Sequence, residues 1–428
     1  MTDSTTTRAD GETIGDESSP FVVYRSSLDT YRRAIDAGLD DAAYVELVTE
    51  LDRTLVPVDG TGFRTTPLLP LDGVVPAETI WAKVETDNVG GSHKARHLFG
   101  LLLQIAIDEH EEPSGGDRPL AIASCGNAAM GAAVIARAVE RELLVFVPTD
   151  ANPVVLSELH RLGADVRVCE RRPGQLGDPC LSELDLALGA GARPFTVQGP
   201  ICPGVIDGGR TLGLELAHQL VDASVEPADL YIQIGGGALA TAVVDGLQRA
   251  EVLGRLPRLH PVQPATAHPY VAAWQRLRSV LAETLGIDPV PRSDRTLAES
   301  LAGPANDGAF SALIASSDDA MTPWPGQPSS IAGGILDDVT YDWKTVLRHQ
   351  LQTGGWPVLA SEEDFIRAER LAGDALGSID AAMAPPDHTG AAGLAGLLAD
   401  TERRNPRTQA IDGPAVVVLS GRRREGAS

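Results

Sequence analysis

An alternation constrains this chain more than any single residue does. From about residue 79, short apolar runs bounded by glycine or proline alternate with alanine-rich stretches. The runs are Ile80–Val84, Leu120–Ala123, Leu143–Val147, Asp165–Val168, Asp229–Ile234, Leu259–Val262 and Ala415–Leu419. Most are apolar throughout, as parallel strands are when helices cover both faces of their sheet. The stretches between them, such as Ala128–Glu142, Asn152–Leu162 and Thr211–Val221, have helical composition. Repeated strand–helix–strand order predicts an α/β fold of open, mostly parallel, twisted sheets covered by helices.

The remaining segments are read more coarsely. Residues 1–20 are polar and acidic, which predicts a disordered tail and not a secretory signal. Residues 21–60 look helical. Asp40 or Asp41 can cap a segment with Tyr44, Leu47, Val48 and Leu51 on one side, and Gly38 closes the helix before it. Residues 285–330 read as loop, being rich in Gly, Pro, Ser and Asp. A length of 428 suggests two or three domains.

Charge and composition exclude some partners. The formal net charge of −24 argues against a nucleic-acid polyanion and gives no support for anionic membranes. The best apolar run, Leu98 to Ile107, is too short to cross a bilayer. Four cysteines (Cys125, Cys169, Cys180, Cys202) show no CxxC spacing and read as reduced thiols of a cytoplasmic protein. No metal site is expected.

The chain has three lysines, Lys83, Lys94 and Lys344, against 32 arginines. Chemistry that needs a primary amine is therefore confined to three positions, since arginine cannot form a Schiff base. Lys83 falls in a buried strand and Lys344 on an ordinary helix beside Trp343. Lys94 lies in Gly90-Gly91-Ser92-His93-Lys94, a strand-to-helix turn, where open α/β sheets bind ligands.

Three further turns have the same placement. Ser124-Cys125-Gly126-Asn127 follows a strand and opens an alanine-rich helix, which suits a carboxylate or is a plain helix cap. A Cys125 nucleophile is the sharper alternative and would need a histidine partner. Gly235-Gly236-Gly237-Ala238-Leu239 can cup a phosphate in backbone N–H groups. Its spacing also permits a dinucleotide fold and a nicotinamide dehydrogenase. The next strand, however, runs on to Gln263 and Pro264 with no acidic residue. Val416–Leu419 ends at Ser420-Gly421. An amine, a carboxylate cradle and a phosphate cup at strand ends are explained economically by a phosphorylated aldehyde cofactor.

At this point the chain resembles the tryptophan-synthase-β-like group of pyridoxal-phosphate enzymes, fold type II, from Thr66-Pro67-Leu68 to about Gly421. Lys83-Val84-Glu85 with Gly91-Ser92-His93-Lys94 is similar to the group's K-x-E…G-S-F-K, with His93 where Phe is usual. Ser124-Cys125-Gly126-Asn127 resembles S-S/T-G-N, Cys125 being the departure. Val145–Pro148, Leu162–Val166 and Thr211-Leu212-Gly213-Leu214-Glu215 match further segments in order. Thr389–Gly396 and Ser330–Gly334 resemble segments of dehydratases and ammonia-lyases, whereas Ala123–Asn127 leans towards threonine synthase.

The resemblance implies a two-lobed fold, with residues 21–89 and 206–428 as the large cofactor-binding lobe and 90–205 as a small mobile lobe. It implies pyridoxal 5'-phosphate on Lys94, with Asn127 at the cofactor's 3′ oxygen and Gly235 to Leu239 at its phosphate, where His93 would also approach. It implies Ser124, Cys125, Gly126 and Asn127 at the substrate carboxylate and Ser420 at the pyridine nitrogen. A hydroxyl there cannot keep the nitrogen protonated as a carboxylate would, and the weaker electron sink favours loss of a β-substituent. The expected activity is ammonia-lyase or dehydratase elimination on a small β-substituted amino acid, through an enamine to a 2-oxo acid and ammonia. A β- or γ-replacement synthase of the threonine synthase or cysteine synthase type is the alternative, and an inactive homologue that only binds is a third. A homodimer is the group's expectation.

Overall fold

The computed structural model describes residues 6–7, 13–14, 19–75, 79–112, 118–172, 178–284, 286, 297, 307–326, 328–403 and 413–424. It divides into two compact units. The first comprises Met1–Thr66, Asp87–Glu215 and Arg424–Ser428, and the second Pro67–Thr86 and Leu216–Arg423.

The first unit holds a four-stranded parallel sheet in the order Asp165–Cys169, Leu143–Pro148, Leu120–Ala123, Arg193–Pro194. The central strands are buried along most of their length, which is why they read as apolar runs. The outer strand Asp165–Cys169 exposes Asp165, Arg167 and Val168, as an edge strand with charged gatekeepers does. Phe146, Ala121, Cys169, Cys180 and Leu184 form a core between this sheet and the helix Pro179–Gly189.

The second unit holds a six-stranded sheet in the order Val358–Ala360, Arg258–Pro264, Asp229–Gln233, Ala415–Leu419, Ile80–Val84, Leu68–Pro70. All neighbours are parallel except Leu68–Pro70, which runs antiparallel at the edge. Its core joins Val417, Leu419, Tyr231 and Val262 to Leu394, Leu397 and Leu398 of the helix Ala392–Arg403.

Two expectations shift. Residues 21–66 and 206–215 belong with 87–205, not with the larger lobe. The reason is apolar: Phe21, Phe63 and Phe99 meet with ring centroids 4.8–5.1 Å apart, Phe99 lying on the helix Lys94–Glu111. Within that segment the helix Asp41–Asp59 is capped by Asp40, which accepts from the Ala43 N–H at 2.8 Å. It buries Tyr44, Val48 and Leu55, while Leu47 and Leu51 are half-buried. Residues 285–330 also include a helix, Asp307–Ala315, where loop was expected. Much of 287–306 lies outside the described residues, as does most of the 1–20 tail. Thr6–Thr7 and Thr13–Ile14 pair as short antiparallel strands, and Pro20 opens a helical turn. No described helix is long and apolar enough to cross a membrane.

Candidate functional site

Lys94 is the first residue of the helix Lys94–Glu111 and is half-buried. The turn before it, Val89–Gly91, places Gly90 at φ 65° and Gly91 at φ 70°, a left-handed conformation that glycine adopts without penalty. Both ends of the Gly90 residue are held. Its N–H donates to Asp59 Oδ2 at 3.0 Å, and its carbonyl accepts from Arg424 Nη2 at 2.9 Å. Asp59 ends the Asp41–Asp59 helix, so the N-terminal segment, which carries no recognisable motif, supports the lysine turn.

The same turn fixes the second motif. A Cβ on Gly90 would stand 3.2 Å from Gly131 Cα, in the helix Asn127–Ala138. That backbone contact brings the lysine turn against the helix that Ser124-Cys125-Gly126-Asn127 opens. Arg424 Nη2 also donates to Asn127 Oδ1 at 3.2 Å. Ser124 to Asn127 are all half-buried. Burial and then the charge of Asp150 push the Cys125 thiol up, so the side chain is a neutral S–H rather than a nucleophilic thiolate.

Beneath Lys94 lies a network that sequence reasoning missed. Arg96 pairs with Glu215 at 3.0 Å, both fully buried. Arg96 also donates to Thr211 Oγ1 and Thr66 Oγ1, and the Thr66 N–H donates to Glu215 at 2.6 Å. In the sequence Thr66, Thr211 and Glu215 belong to two separate motif segments, and nothing there joins them to Arg96. His97, one turn beyond Lys94, places Nδ1 2.9 Å from the Val205 carbonyl, and its ring meets that of His93 at 5.7 Å. Burial, then the nearby Lys94 charge, lowers its pKa to about 3, so it is neutral and donates from Nδ1. His97 thus adds no positive charge beside the lysine.

The second unit holds the other candidates. Gly237 is the N-cap of the helix Ala238–Ala250 at φ 100°. The side of Gly235 and Gly236 where a Cβ would stand is filled by Asp337, Ile335 and Tyr341, so those glycines are also demanded by packing. Ser420 follows the strand Ala415–Leu419 and is 2% exposed. Its Oγ accepts from Gln233 Nε2 at 2.5 Å, and its N–H donates to the Gly390 carbonyl at 3.0 Å. Gln233 was not singled out in the sequence, where it is one polar residue in an apolar run.

The remaining lysines are otherwise engaged. Lys83 is fully buried and donates to Gln219 at 2.8 Å. Lys344 pairs with Asp318 and lies 5.7 Å from the Trp343 ring centroid. The four cysteines are free, and no cluster of metal-ligating side chains occurs among the described residues.

Helix starts test whether these residues suit a phosphorylated aldehyde. The helices Asp41–Asp59, Pro153–Arg161, Pro179–Gly189 and Glu362–Ile379 each have a side-chain cap, from Asp40, Asn152, Asp178 and Ser361. The helices beginning at Lys94, Asn127 and Ala238 have none. Their N-caps, His93, Gly126 and Gly237, leave the leading N–H groups without that acceptor, which suits anionic groups. Ser92 Oγ, beside Lys94, is buried with no hydrogen-bond partner among the described residues. The donor set fits; the Asp337 side chain lies beside Gly235 and the Asp342 side chain beside Gly237.

Comparison with known proteins agrees. Residues 60–322 match the family described as pyridoxal-phosphate dependent enzyme. The chain belongs to this family. The motif resemblance is thereby borne out, and the nicotinamide alternative falls. A curated relative, an L-serine dehydratase of Saccharomyces cerevisiae (strain AWRI1631), is 26% identical over 183 residues, covering 41% of this chain and 53% of that protein. The chain thus spans about half the length of that relative. Among solved structures, a threonine deaminase from T.th. superposes with TM-score 0.60 at 21% identity, covering 89% of this chain and 98% of that one. A diaminopropionate ammonia lyase from Escherichia coli gives TM-score 0.60 at 17% identity, covering 88% and 89%. These structural likenesses support the expected two-sheet α/β fold.

Proposed function

We propose that this family member catalyses β-elimination from a small β-substituted amino acid, releasing a 2-oxo acid and ammonia. The observation that carries the reading is the pairing, within one unit, of a helix-start amine with a second uncapped helix start. An amine for an aldehyde and N–H groups for a carboxylate are what an amino-acid substrate and this cofactor require. The serine dehydratase relative supports elimination over replacement.

When bound, the cofactor supplies an electron sink that acidifies the hydrogen on the substrate's α-carbon. Lys94 would hold the cofactor aldehyde through its amine, and the neutral amine would serve as the base for that proton. Ser124, Cys125, Gly126 and Asn127 hold the substrate carboxylate, and Asn127 also donates to the cofactor's 3′ oxygen. Gly235, Gly236, Gly237, Ala238 and Leu239 hold the phosphate, with His93. Ser420 meets the ring nitrogen with a hydroxyl. We assign the protein to the cytoplasm as a homodimer, the thiols supporting the first and the family expectation the second.

The test is an assay of purified protein against serine, threonine, diaminopropionate and phosphohomoserine. Ammonia and a 2-oxo acid from one of the first three are expected. Inorganic phosphate release from phosphohomoserine alone would establish the replacement reading instead.

A further inference from the structure

Gln233 and Ser420 lie at the ends of neighbouring strands in one sheet, Asp229–Gln233 and Ala415–Leu419. Both are almost wholly buried, at 3% and 2% exposed. The Gln233 amide nitrogen has three main-chain carbonyls around it, Thr389 O at 3.0 Å, Gly390 O at 3.3 Å and Val418 O at 3.4 Å. Carbonyl oxygens only accept, so the amide must turn its NH2 group to this side. The opposite orientation would set four oxygens against one another in a buried site. Ser420 Oγ is the nearest acceptor, at 2.5 Å.

A hydroxyl has one hydrogen, and it cannot point at a group already donating to its oxygen. We propose that Gln233 is a positioning residue that fixes the polarity of Ser420, turning its hydroxyl hydrogen away from the amide so that Ser420 donates to the cofactor's ring nitrogen. This rests on the proposed placement of Ser420 at that nitrogen. A nitrogen that accepts from a hydroxyl carries no proton of its own. With one of its two lone pairs taken by the amide, the Ser420 hydroxyl is biased towards donating, and the three-carbonyl cage thereby biases the ring towards its unprotonated state. A serine alone does not do this, because its hydroxyl can accept from a protonated nitrogen as readily as it donates to a bare one.

The experiment is nitrogen NMR of the holoenzyme carrying ring-labelled pyridoxal phosphate, in wild type, Gln233→Met, Gln233→Glu, Ser420→Ala and the Gln233→Met/Ser420→Ala double variant. The wild-type resonance is expected at the position of an unprotonated, hydrogen-bonded pyridine. Gln233→Met and Gln233→Glu are expected to move it towards the protonated form. Ser420→Ala is expected to move it too, and Gln233→Met to add nothing in that background. A protonated nitrogen in the wild type overturns the proposal without recourse to any variant. If Ser420→Ala moves the resonance and both Gln233 variants leave it unchanged, the role of Gln233 is overturned while Ser420 keeps its place. If Ser420→Ala leaves it unchanged, the placement of Ser420 fails and the proposal with it.

Discussion

Arg96 and Glu215, 119 positions apart in sequence, form a fully buried ion pair 3.0 Å long, two residues past Lys94. Thr66 and Thr211 add hydrogen bonds to the pair. A buried pair so bonded anchors the first turn of the lysine helix to the helix Val205–Asp222. Removing one partner leaves the other charge buried and alone. Glu215→Ala should therefore cost about 3–5 kcal/mol in urea unfolding. A loss below about 1 kcal/mol, the range of exposed pairs, would show the pair to be solvated.

The same two helices touch backbone to backbone. A Cβ on Gly208 would collide with the Arg96 carbonyl and stand 2.9 Å from Gly100 Cα. At Gly131, an added methyl would meet the Leu98 side chain at 3.2 Å, a contact that can yield. Gly208→Ala should destabilise by about 1–3 kcal/mol or more, as overpacking does, and Gly131→Ala by less. Thermal melts of the two variants give the order, and a reversed order would contradict this packing.

The lysines separate by spectroscopy. Lys94→Ala should lose the visible band of the lysine-bound cofactor and reduce turnover by about 10²–10⁴-fold or more, the range for a lost proton acceptor. Lys344→Ala, altering a surface pair, should keep both band and turnover. Lys83→Met should keep the band while lowering stability, since Gln219 then loses its buried partner. A normal band in Lys94→Ala would remove the assignment.

Acid sensitivity in the first unit has two opposed contributions. The His97 pKa is lowered to about 3, so the unfolded chain takes its proton first, and stability falls as pH drops below about 6.5. Burial raises Asp52 to about 6, against the opposing hydrogen bond from the Phe63 N–H. Here the folded state takes the proton first, and stability rises as pH falls through about 6 towards the usual carboxylate range. Asp52→Asn removes only the second contribution. Its stability should therefore decline more steeply than wild type between about pH 6 and 4, and parallel curves would disprove the opposition.

Much of this fold is legible before any coordinates. Ile80–Val84, Leu120–Ala123 and Ala415–Leu419 fall where the apolar runs place them, because central parallel strands must be apolar on both faces. Leu68–Pro70, Arg193–Pro194 and Val358–Ala360 were not legible. Each is two or three residues long and lies at a sheet edge, where neither length nor periodicity leaves a signal. The site divides in the same way. Lys94, Ser124–Asn127, Gly235–Gly237 and Ser420 stand out because each interrupts a regular element at a strand end. Arg96, Gln233 and Arg424 do not, because their significance lies in partners more than a hundred residues away.

The grip on Gly90 has a consequence for the timing of biosynthesis. Its N–H partner, Asp59, leaves the ribosome before it, but its carbonyl partner, Arg424, is 334 residues downstream. A nascent chain can shape the lysine turn from one side only, with the Gly90 carbonyl and the Asn127 amide both awaiting a guanidinium not yet made. The turn that precedes Lys94 is gripped from both sides only once residue 424 has been made, which places this support among the late contacts of the folding chain.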